Sequence, residues 1–326
     1  MAKFKPEDIP DLHRKVAIVT GGNRGMGFHI VQQLASHGAK VYLAARSEAS
    51  AREAIQRIEA EKPELQGKDR VVYLKLDLST LQSAQDSANE YLRLEQRLDI
   101  IVHNAGIMNH PYAKTADGLE DSMGINHFAP FVFTKTLYPL LLESSKQPES
   151  DVRVVIVSSS IHSRAPAAGK FATLVEINDP LAPPSSQDGI VARYARYARS
   201  KLANILYAKQ LQKEFDASSS TALAISLHPG GVATETVLDD QESVPFLGPV
   251  LKFLVAKLAK SPLDGALVAL HAATSPDVRK NSATYGGAYI GSLAKVTPAS
   301  ADGQSDDLAK KLWEVTEQIS TEILSK

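Results

Sequence analysis

VAIVTGGNRGMGFHIVQQLASHG, residues 16–38, decides the fold. Its opening run, Val16 to Thr20, is apolar and rich in β-branched side chains, as a strand buried on both faces requires. Apolar Ile30, Val31 and Leu34 then recur at helical spacing between Met26 and His37, and Gly38 follows as a stop signal. Between strand and helix lies TGGNRGMG, Thr20 to Gly27, with a pattern of glycines at 21, 25 and 27. Small residues there let the backbone turn tightly and present the free N–H groups of the helix N-terminus to a phosphate. A glycine-rich turn alone is an ordinary loop; the strand before it and the helix after it select the phosphate-binding reading.

The alternation continues outward along the chain. VYLAA (Val41 to Ala45), VVYLKLDL (from Val71), DIIVHNAG (ending at Asn104), VRVVIVSSS, ALAISLHPGG and GGAYI near Tyr289 read as further strands. A charged helix over Ala51 to Glu61 stops before Pro63, a long one contains NHFAPFVFTKTLYPLLL, and another contains YARSKLANILYAKQL. This order predicts an α/β fold: a single Rossmann-type, doubly wound, seven-stranded parallel sheet with helices on both faces. The expected organisation is an N-terminal extension over 1–15, one domain over 16–298, and a polar linker with a C-terminal amphipathic helix over 299–326. Leu308, Leu312, Val315, Ile319 and Ile323 mark the apolar face of that helix.

At 44% apolar and 22% charged residues, the 326-residue chain has the composition of a packed globular protein, and disorder is excluded. Thirty-six Lys and Arg balance 37 Asp and Glu, so no global field favours nucleic acid as a partner. The absence of cysteine excludes a disulfide framework, a thiolate zinc site, an iron–sulfur cluster and a cysteine nucleophile. The nine histidines show no metal-ligand spacing, so no metal is expected. No uncharged apolar stretch reaches the roughly 18 to 20 residues of a membrane helix. The charged, proline-broken start MAKFKPEDIPDLHRK does not read as a secretion signal, and a cytoplasmic location is the expectation.

The end of the second strand bears on the cofactor. A protein that binds NAD usually places an Asp or Glu there, about 20 residues past the glycine turn, on the ribose 2′-hydroxyl. Here the strand ends Ala44, Ala45, Arg46. No acid repels a 2′-phosphate, Arg46 offers a planar fork of donors, and Arg24 in the turn adds a second cation. NADP(H) is therefore favoured over NAD(H); the plainer alternative makes Arg46 the solvated start of the next helix. Gly21, Asn23, Arg24, Gly25, Met26 and Gly27 are the turn residues expected to meet the dinucleotide.

Tyr197-Ala-Arg-Ser-Lys201 places a phenol and an ammonium four residues apart, on one face of a helix. Tyrosine titrates near 10, too high for acid–base work at neutrality. A lysine charge about 4 Å away, at an effective dielectric of about 20, contributes roughly 4 kcal/mol and would lower that value by about three pH units. By itself the spacing also fits an ordinary surface helix.

With its companions, the pattern resembles the short-chain dehydrogenase/reductase superfamily from about Val16 to Thr234. The matching residues are TGGNRGMG, Asp77-Leu78, Asn104-Ala105-Gly106, Asn126 in MGINHF, the serines of VVIVSSS, Tyr197 with Lys201, and PGGVAT from Pro229 to Thr234. The resemblance implies a catalytic tetrad of Asn126, Ser159, Tyr197 and Lys201. In it Tyr197 exchanges a proton with the alcohol or carbonyl oxygen and Ser159 hydrogen-bonds that oxygen. Lys201 lowers the tyrosine pKa and holds the nicotinamide ribose, and Asn126 supports a water relay behind the lysine. It further implies that Asp77 and Leu78 border the adenine, that Asn104, Ala105 and Gly106 line the cofactor cleft, and that Pro229, Gly230, Val232 and Thr234 lie at its nicotinamide end. The serine register follows the family habit of a catalytic second serine, with Ser158 and Ser160 as alternatives.

Thirty-eight positions separate Ser159 from Tyr197, more than in most of the family. The added segment, 169–193, resembles the insertion of the retinol dehydrogenase-like branch, as do SKLANILYAKQL, HPGGV and KLWEV. It is expected to shape substrate access. Residues 235–261, with PFLGPVLKFLVAKL, are expected to form a substrate lid, which points to a bulky, hydrophobic small molecule. Arg193, Arg196 and Arg199 recur every third residue and read as a solvated helix face, with an anionic-substrate role as the lesser alternative. His162 reads as polar packing or as part of the substrate wall.

The expected function is NADP(H)-dependent interconversion of a carbonyl and an alcohol. An epimerase, dehydratase or oxidase step in a biosynthetic pathway is the nearer alternative, and a non-catalytic dinucleotide sensor the more distant one. A homodimer and a monomer both remain open.

Overall fold

The computed structural model describes residues 4–166, 171–232 and 260–326, and in it the apolar runs become seven strands. These are β1 (Val16–Thr20), β2 (Lys40–Ala45), β3 (Val71–Lys75), β4 (Ile100–His103), β5 (Arg153–Val157), β6 (Leu223–Leu227) and β7 (Tyr289–Ile290). They form one parallel sheet of order β3-β2-β1-β4-β5-β6-β7. Every residue of β1, β5 and β6 is buried, because helices cover both faces; hence the continuous rather than alternating apolar runs.

The helices are α1 (Gly25–Ser36), α2 (Glu48–Glu61), α3 (Leu81–Leu94), α4 (Asp121–Met123), α5 (Ala129–Ser145), α6 (Leu174–Ile177), α7 (Ile190–Ala217), α8 (Pro262–Thr274), α9 (Pro276–Lys280), α10 (Ser282–Tyr285), α11 (Ala301–Gln304) and α12 (Asp306–Leu324). Side chains alternate across the sheet into two cores. Ile18, Tyr42 and Ala44 face a core completed by Tyr91, Phe131, Leu206 and Trp313, whereas Ala17, Val19 and Leu43 face Ile30, Ile58 and Leu270.

The strand order reverses between β1 and β4, which opens a crevice outside their carboxyl ends. Thr20 ties the two ends together: its hydroxyl oxygen accepts the N–H groups of Asn104 and Ala105, each at 3.0 Å. Several sequence-read strands run past the observed ones. Leu76 to Leu78, Asn104 to Gly106, Ser158 to Ser160 and His228 to Gly231 have left the sheet and line loops at its carboxyl edge.

The expected linker at Ser300 to Asp307 is more ordered than its composition implies. It holds α11, and Ser305 caps α12 by accepting the Leu308 N–H. α12 packs on α5 and α7, with the Trp313 ring 4.9 Å from Phe131 and 6.0 Å from Tyr207. Within the 169–193 insertion, Phe171 and Ile177 are buried in the main core. Of the expected lid at 235–261, all but Lys260 and Ser261 lies outside the described residues. No described helix is long and apolar enough to cross a membrane.

Candidate active site

The glycine turn has the geometry a phosphate cradle needs. Gly21 and Gly25 hold left-handed backbone, at φ +64° and +54°. A Cβ on Gly27 would fall 2.1 Å from the Gly21 carbonyl oxygen, so no side chain fits there. Side chains of Ser47, Thr80, Ser261 and Ser305 cap α2, α3, α8 and α12, whereas Arg24 at the start of α1 caps nothing. The first N–H groups of α1 therefore face a cleft of about 820 Å³ without a side-chain acceptor from that position.

That cleft collects the sequence-predicted residues along one path. By the sheet order, Arg46, Asp77 and Leu78 lie at the β2–β3 end, the glycine turn with Asn104, Ala105 and Gly106 at the β1–β4 switch point, and Ser159, Tyr197, Lys201, Pro229, Gly230 and Val232 on the β5–β6 side. Arg24 and Arg46 are exposed and make no ion pair or side-chain hydrogen bond among the described residues. Asn23 is anchored by donating to Ser50 Oγ at 2.7 Å, and Asp77 accepts the Ser79 N–H at 2.9 Å. Asn104 Nδ2 donates to the Thr20 carbonyl at 3.0 Å, bracing the floor of the cleft. Gly27 and Asn126 stand behind this lining rather than in it, and Thr234 lies outside the described residues.

Geometry separates the three serines. Ser158 is buried and donates its hydroxyl to the Lys201 carbonyl at 2.7 Å, while Ser160 is exposed in the turn that follows. All three line the cleft; Ser159 is partly exposed and uses one lone pair to accept the Ile161 N–H at 3.3 Å. Its O–H and second lone pair remain for a ligand.

The lysine stands differently from the expectation. Lys201 Nζ is 5.5 Å from the centroid of the Tyr197 ring and donates to the Val157 carbonyl at 3.0 Å. Burial lowers its pKa to about 8. Tyr197, partly exposed along the cleft, has its pKa raised, first by desolvation and then by Tyr194. The predicted lowering by the lysine charge is thus corrected. In the protein by itself, desolvation holds the phenol's pKa above its ordinary value.

Asn126 sits in a π turn, Gly124–Phe128, between α4 and α5. Its Oδ1 accepts the Ile107 N–H at 2.8 Å, and its Nδ2 donates to the Ile107 carbonyl and to Ser200 Oγ, both at 3.0 Å. A Cβ on Gly106 would lie 3.0 Å from Asn126 Oδ1 and 3.4 Å from Lys201 Nζ, so a side chain here would press on both.

The arginine run also departs from its reading. Arg196 and Arg199 are fully buried, at 0% and 2% exposure, and only Arg193 is partly open to solvent. Both buried guanidinium groups approach the buried carboxylate of Glu120, at 3.6 and 3.5 Å. Arg196 also donates to the carbonyls of His110, Pro180 and Gln187, and Arg199 to that of Glu176. Arg193 donates to the Asp188 carbonyl at 2.7 Å. These are clamps that fix the insertion to α7, and neither a solvated face nor an anionic-substrate site. Beside them, burial and the neighbouring Glu120 raise the Asp121 pKa to about 7.

Sequence reasoning missed Tyr194, Ile107, Met108, Ile125, Ile161 and His228, all of which line the cleft. Tyr194 precedes Tyr197 by one helical turn, and His228 follows β6 at the carboxyl edge of the sheet; both positions were readable signals. His162 is absent from the lining and packs against Tyr289, with ring centroids 4.9 Å apart.

A family model described as short chain dehydrogenase matches residues 15–172. A short chain dehydrogenase/reductase, dpchH, of Colletotrichum higginsianum is 42% identical over 308 residues, covering 94% of this chain and 75% of its own. The chain belongs to the short-chain dehydrogenase/reductase family. Retinol dehydrogenase 14 of Mus musculus is 32% identical over 94% of this chain and 86% of its own, which supports the retinol dehydrogenase-like character of this family member. Among solved structures, levodione reductase aligns with a TM-score of 0.65 at 16% identity, covering 86% of this chain and 96% of its own. A short chain dehydrogenase structure from Shigella flexneri, complexed with NADP, aligns with a TM-score of 0.62 at 24% identity, covering 86% and 98%. The solved structures share the fold, and the family model and curated relatives place the chain in an oxidoreductase family.

Proposed function

We propose that the protein interconverts a carbonyl and an alcohol on a bulky, hydrophobic substrate, using NADP(H), with Tyr197 as general acid and base. The observation that carries this reading is one cleft holding both the glycine cradle and the trio Ser159, Tyr197 and Lys201. The chain fits a dinucleotide: Gly27 leaves room only for backbone, the start of α1 lacks a side-chain cap, and Arg24 and Arg46 stand free for a 2′-phosphate. The solved relative with NADP is consistent with that choice.

The nicotinamide, when bound, supplies or accepts the hydride. Gly21 to Met26 hold the phosphates, Arg46 and Arg24 the 2′-phosphate, and Asp77 and Leu78 border the adenine. Ser159 Oγ–H donates to the substrate oxygen and stabilises charge that develops there. Tyr197, a phenol protonated at neutral pH, gives its proton to that oxygen during reduction and takes one from it during oxidation. Lys201 places a positive charge beside the phenol in the transition state, while Asn126 holds Ile107 and Ser200 in position around it. Ile107, Met108, Ile125, Ile161 and Tyr194 give the reacting end apolar and aromatic walls, which suit a hydrophobic substrate.

The test follows NADPH absorbance against decanal, para-nitrobenzaldehyde and retinoid-like and polyketide-like carbonyls. Wild type should oxidise NADPH with at least one of them. Tyr197→Phe should abolish turnover while leaving NADPH affinity near wild type; retained turnover would sink the mechanism.

A further inference from the structure

We infer that His162 is a positioning residue for Ser159, holding the serine backbone at one ring nitrogen and the C-terminal segment at the other. This rests on the reading of Ser159 as the hydroxyl that meets the substrate oxygen.

His162 is buried, 4% exposed, and lies outside the cleft lining, so it cannot itself touch the substrate from its present place. Its Nδ1 is 2.7 Å from the Ser159 carbonyl oxygen, and its Nε2 is 3.1 Å from the Ser300 backbone nitrogen. A carbonyl can only accept and an N–H can only donate. The two bonds therefore determine the ring state: neutral, with the proton on Nδ1 and a lone pair on Nε2. Burial lowers the pKa of the ring, in agreement with the neutral form. The groups around it are compatible with this state: Tyr289 packs against the ring at 4.9 Å, and His228, with Lys260 near it, lies on the neighbouring loop.

The consequence falls on the serine. The Ser159 carbonyl also receives the His162 backbone N–H at 3.1 Å, so a single residue supplies two donors to one oxygen. Ser159 Oγ caps the same turn through Ile161. Together these contacts fix Ser159 in extended backbone, φ −153° and ψ 153°, at the wall of the cleft. Ser300, at the far end of the ring, begins the stretch that leads through α11 into α12, and Lys209 and Lys213 of α7 anchor that stretch at Asp306, 2.9 and 3.3 Å away. The imidazole thus spans from the segment after β5 to a C-terminal arm that is itself fastened to the helix carrying Tyr197 and Lys201.

A double-mutant cycle with Ser159→Ala tests this, using NADPH oxidation with para-nitrobenzaldehyde or decanal, whichever wild type turns over faster. His162→Phe keeps a ring against Tyr289 and removes both hydrogen bonds. It should lower kcat by about 10- to 100-fold, as expected for a misplaced reacting group, with NADPH affinity unchanged. Ser159→Ala should lower kcat by about 100-fold or more, and adding His162→Phe to it should lower kcat by less than about threefold further. His162→Asn, whose amide can still donate to the Ser159 carbonyl, should recover most of the loss. Independent, multiplying losses would overturn the inference and leave the Ser159 assignment standing. Full turnover by Ser159→Ala would overturn that assignment and the inference with it. Should His162→Phe fail to fold, His162→Ala carries the same cycle.

Discussion

Replacing Lys201 with methionine should abolish carbonyl reduction and, at neutral pH, make the protein more stable. The side chain is 4% exposed, and burial lowers its pKa from 10.5 to about 8. That depression amounts to about 3 kcal/mol by which the folded state disfavours the charged lysine relative to the unfolded chain. Methionine of similar length removes this penalty. It also loses the hydrogen bond to the Val157 carbonyl, worth about 1 kcal/mol, although Asn204 Nδ2 still reaches that oxygen at 3.3 Å. The net gain is about 2 kcal/mol near pH 7, or about 3 °C in melting temperature for a chain of this size. The sign is set by proton counting. Between about pH 8 and 10.5 the unfolded lysine holds a proton that the folded one has released, so wild-type stability rises with pH across that interval. The advantage of Lys201→Met should therefore be full below about pH 8 and vanish towards pH 10.5. Urea unfolding of both proteins at pH 7 and pH 10 measures it. A variant less stable than wild type at pH 7, or a difference that does not change with pH, would refute the reasoning.

Two further perturbations test the clamp and the cofactor choice. Glu120→Gln leaves Arg196 and Arg199 buried without their carboxylate, which should destabilise the fold by about 3 to 5 kcal/mol and expose the 171–189 segment to protease; a thermal melt matching wild type and an intact segment would contradict the clamp. Arg46→Ala should raise the KM for NADPH by about 10- to 100-fold through loss of a charge-assisted contact, while the KM for NADH changes little; equal losses for both dinucleotides would overturn the NADP(H) preference.

The parts of this protein legible in its sequence are those written in local pattern. The strand, glycine turn and helix of residues 16–38 need no distant partner to be recognised, and the left-handed backbone of Gly21 and Gly25 explains why glycine stands there. Tyr197 and Lys201 were legible for the same reason, because four residues on a helix fix a shared face. What local pattern cannot supply is dielectric and long-range pairing. The Tyr197–Lys201 spacing was readable, but burial reverses the direction of the tyrosine shift inferred from charge alone. Arg196 and Arg199 read as solvated because their acceptors are invisible in one dimension: a carboxylate from before α4 and backbone carbonyls of the insertion. His162 was legible only as polar packing, since its two partners are main-chain atoms of Ser159 and of the distant Ser300.

These long-range contacts converge on α7, and their convergence bears on how substrate preference can vary without loss of the chemistry. One face of that helix carries Tyr194, Tyr197 and Lys201 toward the cleft. Another carries Arg196 and Arg199 into Glu120 and the carbonyls of the insertion. Because the helix backbone is a single hydrogen-bonded rod, the acid–base group and the segment fixed beside it share one frame. The arginines hold that segment by main-chain carbonyls at Glu176, Pro180 and Gln187, atoms every residue possesses. Side chains of the insertion that make no clamp contact, such as exposed Val175 and Val191, can then change without disturbing either the clamp or the distance from Tyr197 to Ser159. Charge on α7 and main chain on the insertion thus separate the requirement for a fixed catalytic geometry from the freedom to alter what the insertion presents.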